Sequence, residues 1–166
     1  YKKLRNDDRN FLIKEDFLTF NDLIYSLFHI FRILFIKLPK LKAFDIDILP
    51  LIKEEINLHE GFHNTLEGIL NYRFAKNLKN NAIDLSLVID WWEGQPLDKG
   101  WNLGFNTFFP NITTKGYLGY APREMELQLY PTKTEINNKV TPKIISTIGK
   151  KFSDELKSKY LNNNIE

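Results

Sequence analysis

Residues 82–92 read Ala-Ile-Asp-Leu-Ser-Leu-Val-Ile-Asp-Trp-Trp, and this stretch decides the fold class. It is a short, nearly continuous apolar run, rich in residues that favour strands. Such a run is typical of an interior strand that is covered on both faces, as in a parallel sheet. Glu93-Gly94-Gln95-Pro96 ends the run, and Pro96 can open a helix. The sequence therefore predicts a buried parallel strand followed by a helix.

The residues after Pro96 continue the alternation of helix and strand. Apolar side chains at helical spacing predict a helix that lasts until Pro110. The elements predicted after it are a strand at 113–120, a short strand at 127–130, a strand at 143–148 and a closing helix at 152–160. Because strands and helices alternate in this way, we expect an α/β fold, with a Rossmann-like layered unit over residues 82–166.

The N-terminal part, residues 1–81, predicts a mostly helical region that packs on the sheet. One helix is expected over Phe17–Leu38, with Thr19 as its N-cap. A second helix is expected from Pro50 to Lys79, with a break near Gly61. The sequence thus divides into a helical part and an α/β part.

The Phe-rich helix over Phe17–Leu38 leaves two interpretations open. It could be a buried helix, or it could lie at a membrane interface with nearby lysines among the lipid headgroups. Its longest charge-free run lies between Asp22 and Arg32, far short of the roughly 20 residues that a bilayer span needs. A membrane-spanning helix is therefore not expected.

Composition excludes several classes of protein. The chain has 166 residues and no cysteine, so zinc ribbons, disulfide frameworks and thiol nucleophiles are ruled out. The net charge is +2 and the basic residues are dispersed, so we expect no nucleic-acid partner. The chain begins with Tyr1 rather than Met, and we expect it to be a piece of a longer protein.

The end of the predicted strand carries the first candidate site, because ligands collect at the carboxyl ends of parallel strands. Alternation directs Asp90 and Trp92 to one side and Trp91 and Glu93 to the other. Glu93 could act as a general base or bind a sugar hydroxyl, and an indole, for which Trp92 is our candidate, could stack on a sugar ring. The alternative is that both tryptophans are core residues and that Glu93 or Gln95 caps the helix.

A second candidate site is the stretch Gly-Tyr-Leu-Gly-Tyr-Ala-Pro-Arg-Glu at 116–124. Glycines beside a strand end let a ligand approach the backbone, and Arg123 could bind a phosphate or carboxylate. The alternative is a tight turn with an exposed Arg123–Glu124 pair.

The histidines offer weaker candidates. His59 and His63 have the spacing of a zinc motif, but Gly61 interrupts their helix and no third ligand is evident. We interpret them as surface residues and expect no metal site. His29 lies in the Phe-rich helix and is interpreted as a satisfied core histidine.

Several short motifs, taken together in their order, suggest a family. They are Phe62-His63-Asn64-Thr65-Leu66, Asn71-Tyr72-Arg73-Phe74, Glu93-Gly94-Gln95-Pro96, Lys99-Gly100-Trp101 and Gly116-Tyr117-Leu118-Gly119-Tyr120. In this order they resemble bacterial surface-carbohydrate biosynthesis proteins of capsules and lipopolysaccharide O-chains, which are similar to GT-B glycosyltransferases. The resemblance extends over roughly residues 11–160.

The resemblance implies a transferase with two Rossmann-like domains. The N-terminal domain of such an enzyme receives the carbohydrate acceptor, and the C-terminal domain holds the nucleotide sugar. This chain would be the later part of the N-terminal domain, so the donor is expected to bind a domain outside this sequence and the piece alone is expected to be inactive. The implied location is cytoplasmic, with peripheral contact to the inner face of the membrane through Phe17–Leu38.

The implied site residues follow from the same comparison. Glu93 would be the catalytic base, and Gln95, Trp92, Tyr120 and Arg123 would contact the substrate, with neither a metal nor a cofactor in this part of the protein. The competing interpretation is a non-catalytic module of a polysaccharide assembly system that binds a partner or a membrane surface.

Overall fold

The computed structural model describes residues 11–58, 62–120 and 126–159. Within these ranges the helices are α1 Lys14–Phe17, α2 Phe20–Leu27, α3 His29–Leu34, α4 Leu49–Leu58, α5 Phe62–Asn80, α6 Pro96–Phe108, α7 Lys133–Asn137 and α8 Lys150–Lys159. The strands are β1 Lys42–Ala43, β2 Ile46–Asp47, β3 Leu87–Trp91, β4 Thr113–Leu118 and β5 Ile144–Thr147, and a 3₁₀ turn covers Leu127–Leu129. No helix in the described ranges combines the length and hydropathy that crossing a bilayer requires.

The central element is a three-stranded parallel sheet with the order β3-β4-β5. Helix α6 connects β3 to β4, as the sequence predicts, and begins at Pro96. The mixture of helices with a parallel sheet is compatible with the expected α/β class. The strands predicted at 113–120 and 143–148 are confirmed by β4 and β5, and the closing helix by α8.

The core lies between α5, α6 and one face of the sheet. A first cluster joins the two helices to β3 through Phe74, Ala75, Leu78, Val88, Phe105 and Phe109. A second cluster lies at the carboxyl end of the sheet and contains Trp92, Leu118, Leu129, Ile145 and Leu156. Helix α5 therefore shares a core with elements beyond residue 82, and the division into 1–81 and 82–166 stays a prediction.

The expectation that β3 is covered on both faces is wrong. Leu87, Ile89 and Trp91 are 47%, 60% and 52% exposed, whereas Val88 between them is buried. Within the described chain β3 pairs only with β4, so it is an edge strand of this sheet rather than an interior one. The apolar run resembles that of a buried strand, but one of its two faces is open.

The single long helix expected over Phe17–Leu38 is replaced by two short helices, α2 and α3, and α1 ends where the predicted helix was expected to begin. Thr19 is the N-cap of α2, as predicted, and its amide and hydroxyl both donate to Asp22 Oδ2 at 2.8 Å. The buried interpretation is wrong, because the apolar side chains of α2 and α3 point mostly to solvent. The break expected near Gly61 lies outside the described residues, between α4 and α5.

Three further segments differ from the prediction. Residues 127–129 form a 3₁₀ turn instead of a strand. The polar stretch before β5 contains α7, whose capping box joins Thr132 and Glu135. Residues 42–47, for which no element was predicted, form the hairpin β1–β2, with Phe44 and Asp45 in its two-residue turn.

Candidate functional site

The candidate site lies where β3 and β4 end side by side. Trp91 and Tyr117 are register partners near these carboxyl ends. The chain then leaves β3 through Glu93-Gly94-Gln95 and leaves β4 through Gly119-Tyr120. The described parts of both predicted candidate stretches therefore meet at the carboxyl ends of the strands. Parallel sheets bind their ligands at this end.

The indole of Trp91 is the largest exposed group at this edge. It is 52% exposed and contacts the Tyr117 ring edge-on, with 5.7 Å between centroids. Gly119 makes room for it, because a Cβ at that position would lie 2.2 Å from the indole Cη2. The indole Nε1–H donates to Glu93 Oε1 at 2.6 Å. Trp91 therefore presents an open aromatic surface whose polar edge is held by a carboxylate.

The backbone around Glu93 is fixed by Asp98, a residue that the sequence analysis missed. The amides of Glu93 and Gln95 donate to Asp98 Oδ2 at 2.9 and 3.1 Å, and Gln95 is the N-cap of α6. Burial raises the pKa of Asp98; these two hydrogen bonds oppose the rise, and the Glu93 carboxylate adds to it. The available signal was the acidic residue three positions after Gln95, which is the third position of a capping box.

Gly94 fixes the turn between Glu93 and α6. Its φ is +71°, in the left-handed region, and a Cβ there would lie 1.9 Å from the carbonyl oxygen of Gln128. Glycine avoids both the backbone strain and this overlap. The loop that carries Glu93 therefore packs directly against the 3₁₀ turn.

Asp90 lies on the opposite side of β3 from Glu93, which confirms the predicted alternation. Its Oδ2 accepts from Asn102 Nδ2 at 2.8 Å, and the same amide donates to the Asp98 carbonyl at 3.0 Å. Asp90 Oδ1 is buried and has no hydrogen-bond partner among the described atoms. Burial raises the pKa of Asp90 to about 7. The hydrogen bond from Asn102 lowers this pKa, and the negative charge of Asp98 raises it.

Trp92 is buried, so a ligand cannot stack on its indole. Its side chain is 0% exposed and packs with Leu118, Leu129 and Leu156. The substrate-binding role that the sequence suggested for Trp92 therefore needs a correction, because the exposed indole of the pair is that of Trp91. A strand directs neighbouring side chains to opposite faces, and here the covered face receives Trp92.

Tyr120 and Arg123 complete the predicted residues. Tyr120 is half-buried beside the core cluster of Trp92. Burial raises the pKa of its phenol, and the carboxylates of Glu93, Glu126 and Asp98 raise it further. Tyr120 thus shares the electrostatic surroundings of Glu93, whereas Arg123 lies outside the described residues.

The histidine candidates are separate from this edge. His29 is partly buried and its ring stacks on Phe62, with centroids 6.4 Å apart. Burial lowers the pKa of His29, and Arg32 lowers it further. His59 lies outside the described residues, and within the described ranges no three acidic or histidine side chains are grouped as metal ligands would be.

Comparisons with known proteins identify no relative from which the role of the site could be inferred. No family model, curated protein or solved structure matches this chain.

Proposed function

We propose that this chain binds a carbohydrate acceptor at the end of β3 and forms the acceptor side of a GT-B-like sugar transferase. The observation that supports this is the half-exposed Trp91 indole with its N–H held by Glu93 at 2.6 Å. A sugar ring has an apolar face, which suits an indole, and hydroxyl groups, which suit a carboxylate beside that indole. The Tyr117 ring extends the aromatic surface.

The reaction assigns Glu93 the role of general base. Glu93 removes the proton from an acceptor hydroxyl while the hydroxyl oxygen attacks C1 of a nucleoside diphosphate sugar. The new C1–O bond forms as the bond from C1 to the phosphate oxygen breaks, and the electron pair leaves with the nucleoside diphosphate. The indole N–H of Trp91 donates to Glu93 Oε1 and so orients the carboxyl group. Asp98 accepts a hydrogen bond from the Glu93 amide and so fixes the backbone of Glu93.

The proposed substrate class follows from the motif resemblance. Surface-carbohydrate biosynthesis proteins build capsules and O-chains, so the acceptor is an oligosaccharide of that kind. The donor is a nucleotide sugar that binds outside the described edge, in the second domain that the resemblance implies.

The test begins with binding of this chain to an array of capsular and O-chain oligosaccharides. We expect binding to at least one of them, with a loss in Trp91→Ala and none in the matched variant Leu87→Ala on the same sheet face. Transfer is then measured with the bound oligosaccharides and nucleotide sugars in the full-length protein that contains this sequence. Glu93→Gln keeps an acceptor for the Trp91 N–H, so we expect it to retain binding and lose transfer. Binding that is unchanged in Trp91→Ala would contradict the proposal.

A further inference from the structure

Helix α2 has its polar side inward and its apolar side outward. Asp22 and Ser26 are 0% and 2% exposed. Asp22 accepts from Arg73 Nε at 2.5 Å and from Asn77 Nδ2 at 2.8 Å, and Ser26 Oγ donates to the Leu66 carbonyl at 3.0 Å. A helix on a globular domain ordinarily buries its apolar stripe. Here specific hydrogen bonds to α5 fix the opposite orientation.

Exposed apolar side chains recur throughout residues 20–36, which contain α2 and α3, and we call this group the Phe-rich surface. Its members are Phe20, Leu23, Ile24, Leu27, Phe28, Ile30, Phe31, Leu34, Phe35 and Ile36. The most exposed are Phe20 at 74%, Leu34 at 75% and Phe35 at 81%. Exposed apolar residues scattered singly are normal, but a group of this kind marks an interaction surface.

The charged side chains within residues 23–44, the segment that carries the Phe-rich surface, are all basic. No Asp or Glu occurs between Asp22 and Asp45. Within the same run Lys37, Lys40 and Lys42 are exposed. Their charges favour an anionic counterpart over a neutral one. They also disfavour a second copy of this chain, which would bring lysines against lysines.

The acid-free run ends in a hairpin that exposes one more aromatic residue. Phe44 is 100% exposed and has a φ of 50°, and Asp45 beside it has a φ of 65°. Bulky side chains rarely adopt this left-handed conformation. Here it places a phenyl ring at the tip of a two-residue turn, two residues after Lys42.

We propose that the Phe-rich surface docks this protein on a bilayer that contains anionic lipids. The aromatic and aliphatic side chains enter the boundary between headgroups and acyl chains, as in helices that lie in a membrane interface. Lys37, Lys40 and Lys42 bind the lipid phosphates, and each such contact strengthens the attachment to an anionic surface. The proposal is independent of sugar binding, because it uses none of the residues at the β3 end.

The experiment is co-sedimentation of the full chain with two kinds of vesicles. One kind contains phosphatidylcholine with phosphatidylglycerol, and the other contains phosphatidylcholine alone. We expect binding to the anionic vesicles at low ionic strength, much weaker binding to the neutral vesicles, and release from the anionic vesicles as salt is added.

Two sets of variants separate the apolar from the charged contribution. Phe31→Ala combined with Phe35→Ala is expected to reduce the partition coefficient at least tenfold, and the matched control is Leu87→Ala combined with Ile89→Ala on the exposed sheet face. Lys37→Gln, Lys40→Gln and Lys42→Gln together are expected to reduce it about a hundredfold, at about fivefold per lysine. Their control is the same change at Lys133, Lys150 and Lys151, which are also exposed. Circular dichroism checks that each variant folds.

Three results would overturn the proposal. The first is no sedimentation with either kind of vesicle. The second is equal binding to neutral and anionic vesicles with no effect of the lysine changes. The third is self-association in solution that the Phe31 and Phe35 changes abolish while vesicle binding is absent, because the Phe-rich surface would then be an interface between proteins.

Discussion

The indole nitrogen of Trp91 lies 2.6 Å from the carboxylate oxygen of Glu93, two residues further along the chain. The two side chains lie on the same side of β3, so the bond links an exposed aromatic surface to an acidic group at the strand end. This pair has the two features that sugar recognition needs, and it is the centre of the proposed site.

Loss of the Trp91 ring should weaken carbohydrate binding without unfolding the protein. We expect Trp91→Ala to lower the affinity for an array-identified oligosaccharide about tenfold, which corresponds to ~1.4 kcal/mol, because the stacking surface is removed. Isothermal titration calorimetry measures the change, with Leu87→Ala as the control. An affinity within twofold of the unmodified chain would assign the binding to another surface.

Gly94 should be intolerant of a side chain. Gly94→Ala forces a residue with φ of +71° to carry a Cβ that overlaps the Gln128 carbonyl, so we expect a loss of about 2 kcal/mol or more in the free energy of unfolding. Urea denaturation measures the loss. The control is Gly149→Ala, where a Cβ would meet nothing within 4 Å. Equal stabilities of the two variants would show that the turn at Gly94 is not so constrained.

Asp90 should make the protein less stable as the pH rises. The folded state holds the Asp90 proton up to a pH of about 7, whereas an unfolded chain releases it near the ordinary pKa of 3.8. Between these values the folded state binds more protons, so the free energy of unfolding falls with increasing pH. Asp90→Asn should remove this contribution and raise the stability at pH 8 by on the order of 2 kcal/mol relative to the unmodified chain.

The comparison for Asp90 is a second aspartate in an exposed position. Asp84 is exposed, so Asp84→Asn is the matched substitution against which the pH profile of Asp90→Asn is compared. A profile for Asp90→Asn that parallels the unmodified one from pH 4 to 7 would contradict the burial of a protonated carboxyl group.

Asp22 should have the opposite effect at acid pH. Burial alone would raise its pKa, but hydrogen bonds from Thr19, Arg73 and Asn77 outweigh burial and lower the pKa to about 2. Stability from Asp22 is therefore complete above pH 4 and is lost as the pH falls towards 2. Asp22→Asn should cost about 2 kcal/mol at neutral pH and flatten this acid limb, as measured by denaturation at a series of pH values. An unchanged acid limb would refute the assignment.

Local signals in the sequence were enough to predict where several elements begin and end. Thr19 and Pro96 begin helices because capping and a fixed proline φ act over a few residues. The same logic would have predicted α7, since Thr132 and Glu135 form a capping box in the sequence. The turn at Phe44-Asp45 gave no such signal, because neither residue is one that left-handed turns favour most.

The orientation of elements could not be predicted from the sequence in the same way. A run such as that before Trp92 is apolar whether one face of the strand is covered or both are, so the exposed side of β3 was missed. The inward polar face of α2 depends on Arg73 and Asn77, more than 50 residues away in the chain, and periodicity alone cannot indicate such partners. For the candidate site, Glu93 was predicted from its place at the strand end, and Asp98 was missed although its capping-box spacing from Gln95 is a local signal. Asn102 has no such signal, and its contact with Asp90 is evident only in the tertiary structure.

The most direct test of the sugar-binding account is the indole N–H region of a nuclear magnetic resonance spectrum during titration with an array-identified oligosaccharide. The chain has three tryptophans, and the indole nitrogens of Trp92 and Trp101 are buried. The Trp91 signal, assigned with Trp91→Phe, should shift progressively while the other two stay in place. A titration that leaves the Trp91 signal unmoved, or that moves only a buried indole, would contradict binding at the end of β3.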